Sequence, residues 1–251
     1  MVQILKASEL TLNDVESRFA LRQVDTSDFF SECQVSSPQL TDYERQLLDQ
    51  ARSDFRYLAK YPVHEELIKM VVLAPVLSAT GFYRHPFQTT AEKTIELALE
   101  EQDEIIRGRI DLLVINQSLW IAVIESKGKK LNWLEALPQA LTYMMSDQVK
   151  SKARFGLVTN GTDLVFIKLL KDARQYGLSQ VFSLYNPDND LYKVVGILRT
   201  LSQLTIWGHT SSYVLPPSSK VRGDCILVMG KDFMQLKSTR RGFEDWPYLH
   251  F

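Results

Sequence analysis

The clearest pattern along the chain is an alternation of apolar and polar positions that begins near residue 94. Three apolar residues of this stretch, Ile95, Leu97 and Leu99, alternate with Glu96, Ala98 and Glu100. Two runs rich in β-branched residues follow at 105–115 and 119–125. Such patterns favour strands, although a helix over 94–100 is the alternative. The pattern predicts a three-stranded antiparallel meander over 94–125.

The geometry of the second hairpin decides which side chains of the meander meet. If residues 116–118 form a three-residue loop, position 115 faces 119 and position 111 faces 123. Period-two alternation then puts Glu125 and Lys127 on the face of Asp111. The two carboxylates would be diagonal neighbours, about 7–8 Å apart at Cβ. A four-residue loop would instead put Asp111 on the opposite face.

The segment after the meander predicts further strands and a closing helix. Residues 155–159 and 164–170 are apolar runs separated by Asn160-Gly161, a pair typical of hairpin turns. They extend the sheet beside the strand that ends at Glu125. A short strand follows near 182–185, and a helix is expected over 188–207.

Helices are predicted before the meander and directly after it. A short helix over 12–21 is expected with Asn13 as its cap. Thr41 and Glu44 form a capping-box pattern ahead of an amphipathic helix. A helix over 63–81 contains Pro75, which interrupts it, and Gly81 ends it. A further helix reaches Met145 and starts either near Asn132 or near Pro138.

These elements predict an α/β fold, a mixed sheet flanked by helices, in three parts. Residues 1–61 form an N-terminal helical extension packed on the core. Residues 62–208 form the main domain, and residues 209–251 form an irregular extension. The length of 251 residues and the 45% hydrophobic content suit one large domain with extensions.

Charge and cysteine content narrow the function classes only slightly. The formal net charge of −1 neither supports nor excludes nucleic-acid binding, because phosphate contacts depend on local cationic patches. One such patch is Lys127, Lys129 and Lys130. Two distant cysteines show neither metal-ligand spacing nor a disulfide framework. With no signal-peptide pattern and no membrane-length apolar run, a cytoplasmic location without membrane contact is expected.

The two acidic strand residues and the lysine that follows them suggest metal-dependent chemistry on phosphate. The carboxylates of Asp111 and Glu125 suit hard cations such as Mg²⁺ or Mn²⁺. A nearby ammonium such as that of Lys127 would orient water or stabilise charge on a phosphate. The alternative is that both acids are ordinary edge or solvent-facing residues.

Four motifs occur in order along the chain. Gly108-Arg109-Ile110-Asp111 matches G-R-x-D, Glu125-Ser126-Lys127 matches E-x-K, and Gln139 and Tyr143 match Q-x-x-x-Y. Upstream, Glu65 precedes Pro75 and the pair Gly81-Phe82, with Glu66 as a competing candidate. On these motifs, residues 62–170 resemble the PD-(D/E)XK nuclease superfamily. More narrowly, they resemble the N-terminal nuclease domain of type I restriction enzyme R subunits.

The resemblance implies a restriction-endonuclease-like sheet and a Mg²⁺- or Mn²⁺-dependent DNA endonuclease. Asp111, Glu125 and the Ser126 carbonyl would hold the metal, and Lys127 would activate or orient water. Gln139 and Tyr143 would position the substrate strand, and Glu65 would be an outer acidic helper.

DNA, restriction-modification subunits or a second copy of the chain are the implied partners. The chain has no G-x-x-x-x-G-K-[ST] loop, so no ATP-driven motor is expected. Two alternatives stay open. One is a nuclease fold that binds nucleic acid or regulates without cleaving. The other is a structure-specific or RNA-processing nuclease.

Overall fold

The computed structural model describes most of the chain in two separate units. The described residues are 3–26, 28–34, 38–61, 65–99, 104–116, 119–125, 132–146, 153–207, 225–229 and 234–238. The first unit is Met1–His209 and the second is Thr210–Phe251.

The first unit is built on one mixed sheet. Its described strands are β1 (Gln3–Lys6), β2 (Arg22–Gln23), β3 (Gln88–Leu99), β4 (Glu104–Asn116), β5 (Leu119–Glu125), β6 (Ala153–Thr159), β7 (Asp163–Leu170), β8 (Gln175–Leu178) and β9 (Phe182–Ser183). They are ordered β1-β4-β5-β6-β7-β8-β2, with β3 paired to β4 and β9 paired to β7. Both parallel and antiparallel pairs occur.

The predicted meander is confirmed. Strands β3, β4 and β5 follow one another in antiparallel pairs. Strand β6 then lies parallel to β5, with Glu125 opposite Thr159, and β7 returns antiparallel to β6. The predicted extension of the sheet beside the Glu125 strand is therefore confirmed as well.

Helices lie on both sides of this sheet. They are α1 (Leu12–Phe19), α2 (Asp42–Leu58), α3 (Glu65–Ile68), α4 (Ala74–Thr80), α5 (Leu137–Met145) and α6 (Leu191–Trp207). Alternate residues of β6 and β7 enter two separate apolar clusters. Leu157 and Phe166 pack with α2, α4 and α6, whereas Val158 and Ile167 pack with α1 and α5. The α/β class, with helices flanking a mixed sheet, is confirmed.

The helix ends follow local capping chemistry. Thr41 and Glu44 form the predicted capping box of α2. The cap of α1 is Thr11, in a capping box with Asp14, and the prediction of Asn13 is wrong. A threonine one residue before the helix can accept the free N–H of Asp14, which Asn13 inside the first turn cannot do.

The segment around Pro75 is interrupted as predicted. A π-helical stretch, Lys69–Leu73, separates α3 from α4, and Pro75 lies in the first turn of α4. Gly81 ends α4 with φ +87°, a left-handed conformation that suits glycine. Helix α5 has Pro138 in its first turn, so the later of its two possible starts is correct.

Two regions contain strands that the sequence did not predict. The N-terminal segment contributes β1, parallel to β4, and β2, parallel to β8. In the second unit, β10 (Cys225–Met229) and β11 (Met234–Ser238) form an antiparallel pair, where irregular structure was expected. The apolar stretch Cys-Ile-Leu-Val-Met has the composition of a strand, and this explains β10.

Candidate active site

The two predicted acidic ligands lie at one end of the β4–β5 hairpin. The outermost pair at its open end is Leu112 with Val123. Asp111 is one residue beyond this pair on β4, and Glu125 is two residues beyond it on β5. The backbone thus brings both positions to the open end of the β4–β5 pairing, while their side chains lie outside the described part of the structure.

The register of this hairpin differs by one residue from the expected one. Ile115 faces Trp120 and Asn116 faces Leu119, so two residues rather than three join the strands. The expected pairs, 115 with 119 and 111 with 123, are wrong. The expectation that Glu125 lies on the face of Asp111 depended on those pairs and is wrong as well, because with Leu112 opposite Val123 the alternation puts positions 111 and 125 on opposite faces of the hairpin. Asn116 takes part in the ladder instead of the loop, and two-residue connections are the commonest in hairpins.

A third segment with acidic residues, helix α3, reaches this region by packing on the turn that follows β6. Gly161 follows Thr159, the partner of Glu125, by two residues and has φ +89°. A Cβ at Gly161 would overlap Cδ1 of Ile68, so the end of α3 packs directly on this turn. Helix α3 begins at Glu65. The side chains of Glu65 and its competitor Glu66 are outside the described part, so the choice between them stays open.

The G-R-x-D motif lies in the part of β4 that has no described pairing partner along one of its two edges. Positions 104–107 of β4 pair with β3 on one side and with β1 on the other. Positions 112–115 pair with β3 and with β5. Strand β3 pairs with one edge of β4 over both stretches. Strands β1 and β5 therefore pair with the other edge of β4, one after the other. Among the described pairings no strand fills that edge at 108–111, the four positions of the motif.

Helix α5 covers this interval with the predicted Gln–Tyr pair. Nε2 of Gln139 donates a hydrogen bond of 2.7 Å to the Tyr143 hydroxyl, as expected for side chains four residues apart on one helical face. A Cβ at Gly108 would overlap this hydroxyl oxygen and approach ring carbons Cε1 and Cζ to 2.5 Å. The structure therefore brings the Q-x-x-x-Y helix onto the first residue of G-R-x-D.

Packing and a buried arginine hold the C-terminal part of α5 in this position. Tyr143 is only 1% exposed and belongs to the apolar cluster between α1 and α5. The guanidinium of Arg154 on β6 is buried, and its Nη1 donates to the carbonyls of Met144 and Ser146 at the helix end. Carbonyls of a last helical turn have no partner within the helix, so a buried cation satisfies them well.

A cavity of about 350 Å³ lies where α5, β4 and the end of β1 meet. Its lining residues are Lys6, Ser8, Thr94, Arg107, Gly108, Gln139 and Tyr143. Lys6 is the Cα partner of Arg107 in the parallel β1–β4 pair. Gly108 lies three residues before Asp111 in the strand. The cavity thus joins two predicted site residues, Gln139 and Tyr143, to the G-R-x-D strand.

The electrostatics of Lys6 are set by a neighbouring carboxylate. A hydrogen bond of 2.9 Å from its Nζ to Glu9 and the charge of that carboxylate raise the Lys6 pKa above its usual value. Both side chains are largely exposed, with 72% and 64% of their surface accessible. Such an exposed pair contributes little to stability, but it leaves Lys6 fully charged at neutral pH.

The remaining predicted residues are not tested by side-chain geometry. Ser126 and Lys127, with Lys129 and Lys130, fall outside the described residues. Within the part of the chain that the structure describes, no three His, Cys, Asp or Glu side chains cluster as metal ligands.

Sequence reasoning missed the contribution of the N-terminal segment. Lys6 and Ser8 reach the cavity because β1 pairs with β4 and a 3₁₀ turn, Ala7–Glu9, follows it. The sequence signal for β1 was weak, because the strand has only four residues, Gln-Ile-Leu-Lys, and a helix cap follows a few positions later. Arg107, directly before the G-R-x-D motif, was also overlooked.

The chain matches no protein-family model and no curated protein. Among the described residues, no helix is both long enough and apolar enough to cross a membrane.

Proposed function

We propose that the protein is a metal-dependent DNA endonuclease with a restriction-endonuclease-like fold. It would resemble the nuclease domain of type I restriction R subunits without a motor domain. The main support is the packing of Tyr143 on Gly108, which joins two of the four motifs at one place. The backbone positions of Asp111 and Glu125 at the open end of the β4–β5 pairing, with α3 packed on the turn after β6, add to it.

The donor chemistry of the predicted ligands fits a hard divalent cation. Two carboxylates and a backbone carbonyl, those of Asp111, Glu125 and Ser126, would hold Mg²⁺ or Mn²⁺. When bound, the metal would polarise a phosphoryl oxygen and lower the pKa of a coordinated water. Both carboxylates would be needed, because a cation that keeps several waters depends on few protein ligands.

The other residues would act on the substrate and on water. Lys127 would orient the attacking water and stabilise charge on the phosphate. Gln139 and Tyr143 would position the substrate strand, and Glu65 would help from outside the metal shell. In the reaction, the oxygen of a water molecule attacks phosphorus and one phosphorus–oxygen ester bond breaks. The proton that the water loses goes to the leaving oxygen.

Cleavage of supercoiled plasmid DNA tests this function. Purified protein with Mg²⁺ or Mn²⁺ should nick the plasmid, and chelation of the metal should stop the reaction. Lys127→Ala should lower the rate about 100-fold or more, the usual contribution of a group that assists proton transfer. Asp111→Asn should abolish nicking, since it removes a metal ligand.

Two exposed residues provide matched controls. Lys60→Ala and Asp172→Asn make the same chemical changes in the turn after α2 and in the β7–β8 turn, at exposed positions away from the motifs. Both should retain the wild-type rate. Equal nicking by all variants would reveal a contaminating nuclease and overturn the assignment. DNA binding without nicking would favour the non-cleaving module, and cleavage of RNA alone would favour an RNA-processing enzyme.

A further inference from the structure

The cavity beside Gly108 is lined by polar groups and by two cationic side chains, of which Lys6 also bonds the Glu9 carboxylate. Lys6 and Arg107 are exposed, and they lie next to each other across the β1–β4 pair. Directly paired residues of neighbouring strands share a face of the sheet. Two positive side chains therefore lie on one face beside the cavity, and an anion bound between them would compete with the Glu9 carboxylate for Lys6.

The rest of the lining consists of neutral hydrogen-bonding groups. Ser8 and Thr94 carry hydroxyls, and Gln139 carries an amide next to the Tyr143 hydroxyl. None of the described lining residues is acidic. Hydroxyls, an amide, a lysine and an arginine are the side chains that most often contact phosphate oxygens of nucleic acids.

The position of the cavity separates it from the proposed metal site. Gly108 and Asp111 are three residues apart on β4, which is about 10 Å at the usual strand rise of ~3.3 Å per residue. One phosphate group cannot contact both places. A nucleic-acid strand that has one phosphate near Asp111 would present a different phosphate to Lys6 and Arg107.

We propose that Lys6 and Arg107, with the polar lining of this cavity, bind a backbone phosphate of the nucleic-acid substrate adjacent to the one that is cleaved. This inference rests on the proposed function and adds the path of the substrate strand. The strand would run from the open end of the β4–β5 hairpin along β4 towards β1. The N-terminal strand then has a direct role in substrate binding.

The salt dependence of DNA binding tests the proposal. The probe is a 20-base-pair fluorescein-labelled duplex, titrated with wild type and with Lys6→Gln/Arg107→Gln in EDTA between 50 and 200 mM salt. Neutralising a phosphate contact releases counterions, so the slope of log K against log salt should fall in magnitude by about 1. The dissociation constant of the double variant should rise about 10-fold.

A charge-matched variant and a cleavage assay separate the possible failures. Lys60→Gln/Arg84→Gln removes the same charge at exposed positions outside the cavity and should keep the wild-type slope. In plasmid cleavage, the Lys6/Arg107 variant should raise KM with little change in kcat, because it loses binding rather than chemistry.

Three results would overturn the proposal or its premise. Wild-type slope and affinity in the Lys6/Arg107 variant would overturn the phosphate subsite, even if the wild type cleaves DNA. An equal loss in the charge-matched variant would also overturn it, since net charge alone would explain the effect. A changed slope without any metal-dependent cleavage by the wild type would contradict the proposed hydrolysis and leave a nucleic-acid binding site.

Discussion

At the scale of single residues, the contact between Tyr143 and the backbone of Gly108 connects the candidate site. The buried ring leaves no room for a side chain at position 108. Its hydroxyl is at the same time held by Gln139. A glycine in the G-R-x-D motif is therefore explained here by the close approach of a helix, not by a special backbone angle.

Gly108→Ala should destabilise the protein by about 1–3 kcal/mol, the usual cost of overpacking a filled core. The new methyl group would have to displace the rigid, buried Tyr143 ring. Urea unfolding, followed by circular dichroism, measures the effect. A lower rate of plasmid cleavage should accompany the loss, because α5 would shift away from the cavity.

Gly156→Ala is the matched comparison. There the nearest obstacle is the sulfur of Met144, 2.8 Å from the added Cβ, and a flexible methionine can move aside. The cost should be clearly smaller than at position 108. Equal costs at both positions would contradict the proposed tight packing of Tyr143 on Gly108.

The pairing of Gln139 with Tyr143 could be predicted from the sequence, and the partner of Tyr143 could not. A spacing of four on a helix is enough to put two side chains on one face. The contact with Gly108 depends on how α5 packs across the sheet, which no local pattern records. Lys6 was missed for a similar reason, since a short strand shows its pairing partner only in the folded sheet.

At the scale of elements, the junction between β9 and α6 depends on one buried carboxylate. Oδ2 of Asp190 accepts hydrogen bonds from the backbone N–H of Ser183 at 3.1 Å and from Asn186 at 2.6 Å. Oδ1 accepts from Lys193 at 3.0 Å. Burial alone would raise the Asp190 pKa, but these hydrogen bonds and the Lys193 charge outweigh it and lower the pKa.

This carboxylate should make stability depend on pH in the acid range. Because the folded pKa is below the ordinary value of about 3.9, the stabilisation is complete above that pH and is lost as the pH falls through the folded pKa. Asp190→Asn should cost about 1–3 kcal/mol at pH 7. The difference from wild type should shrink below about pH 4.

Urea unfolding at a series of pH values between 7 and 2 measures this difference. Asp188→Asn, at an exposed position two residues earlier, controls for the general loss of a carboxylate. A difference between wild type and Asp190→Asn that stays constant down to pH 2 would refute the role of the ionised group.

Element types were predictable where periodicity and end signals agreed. The Thr41–Glu44 capping box, the Gly81 helix end and the Asn160-Gly161 turn were all visible in the sequence. The hairpin register was not, because Asn116 suits both a loop and the last ladder position. Adding or removing one loop residue changes the partner of every residue in the hairpin.

At the scale of the whole molecule, the segments that carry the motifs meet around the open end of the β4–β5 pairing in a mixed sheet. Helix α3, the open end of the β4–β5 hairpin and the turn after β6 meet there. Helix α5 and β1 border the adjoining cavity. Segments far apart in the sequence are thus brought together by the order of the strands, which a linear pattern predicts only in part.

The central claim, a metal centre that uses Asp111 and Glu125, is tested most directly by counting bound Mn²⁺ by electron paramagnetic resonance. This measurement needs neither the right DNA sequence nor a partner subunit. The wild type should bind one Mn²⁺ per chain. Asp111→Asn and Glu125→Gln should each abolish this binding, because each removes one of two carboxylate ligands, whereas Asp172→Asn should retain it. No bound Mn²⁺ in the wild type, or undiminished binding in Asp111→Asn, would contradict the proposed metal centre.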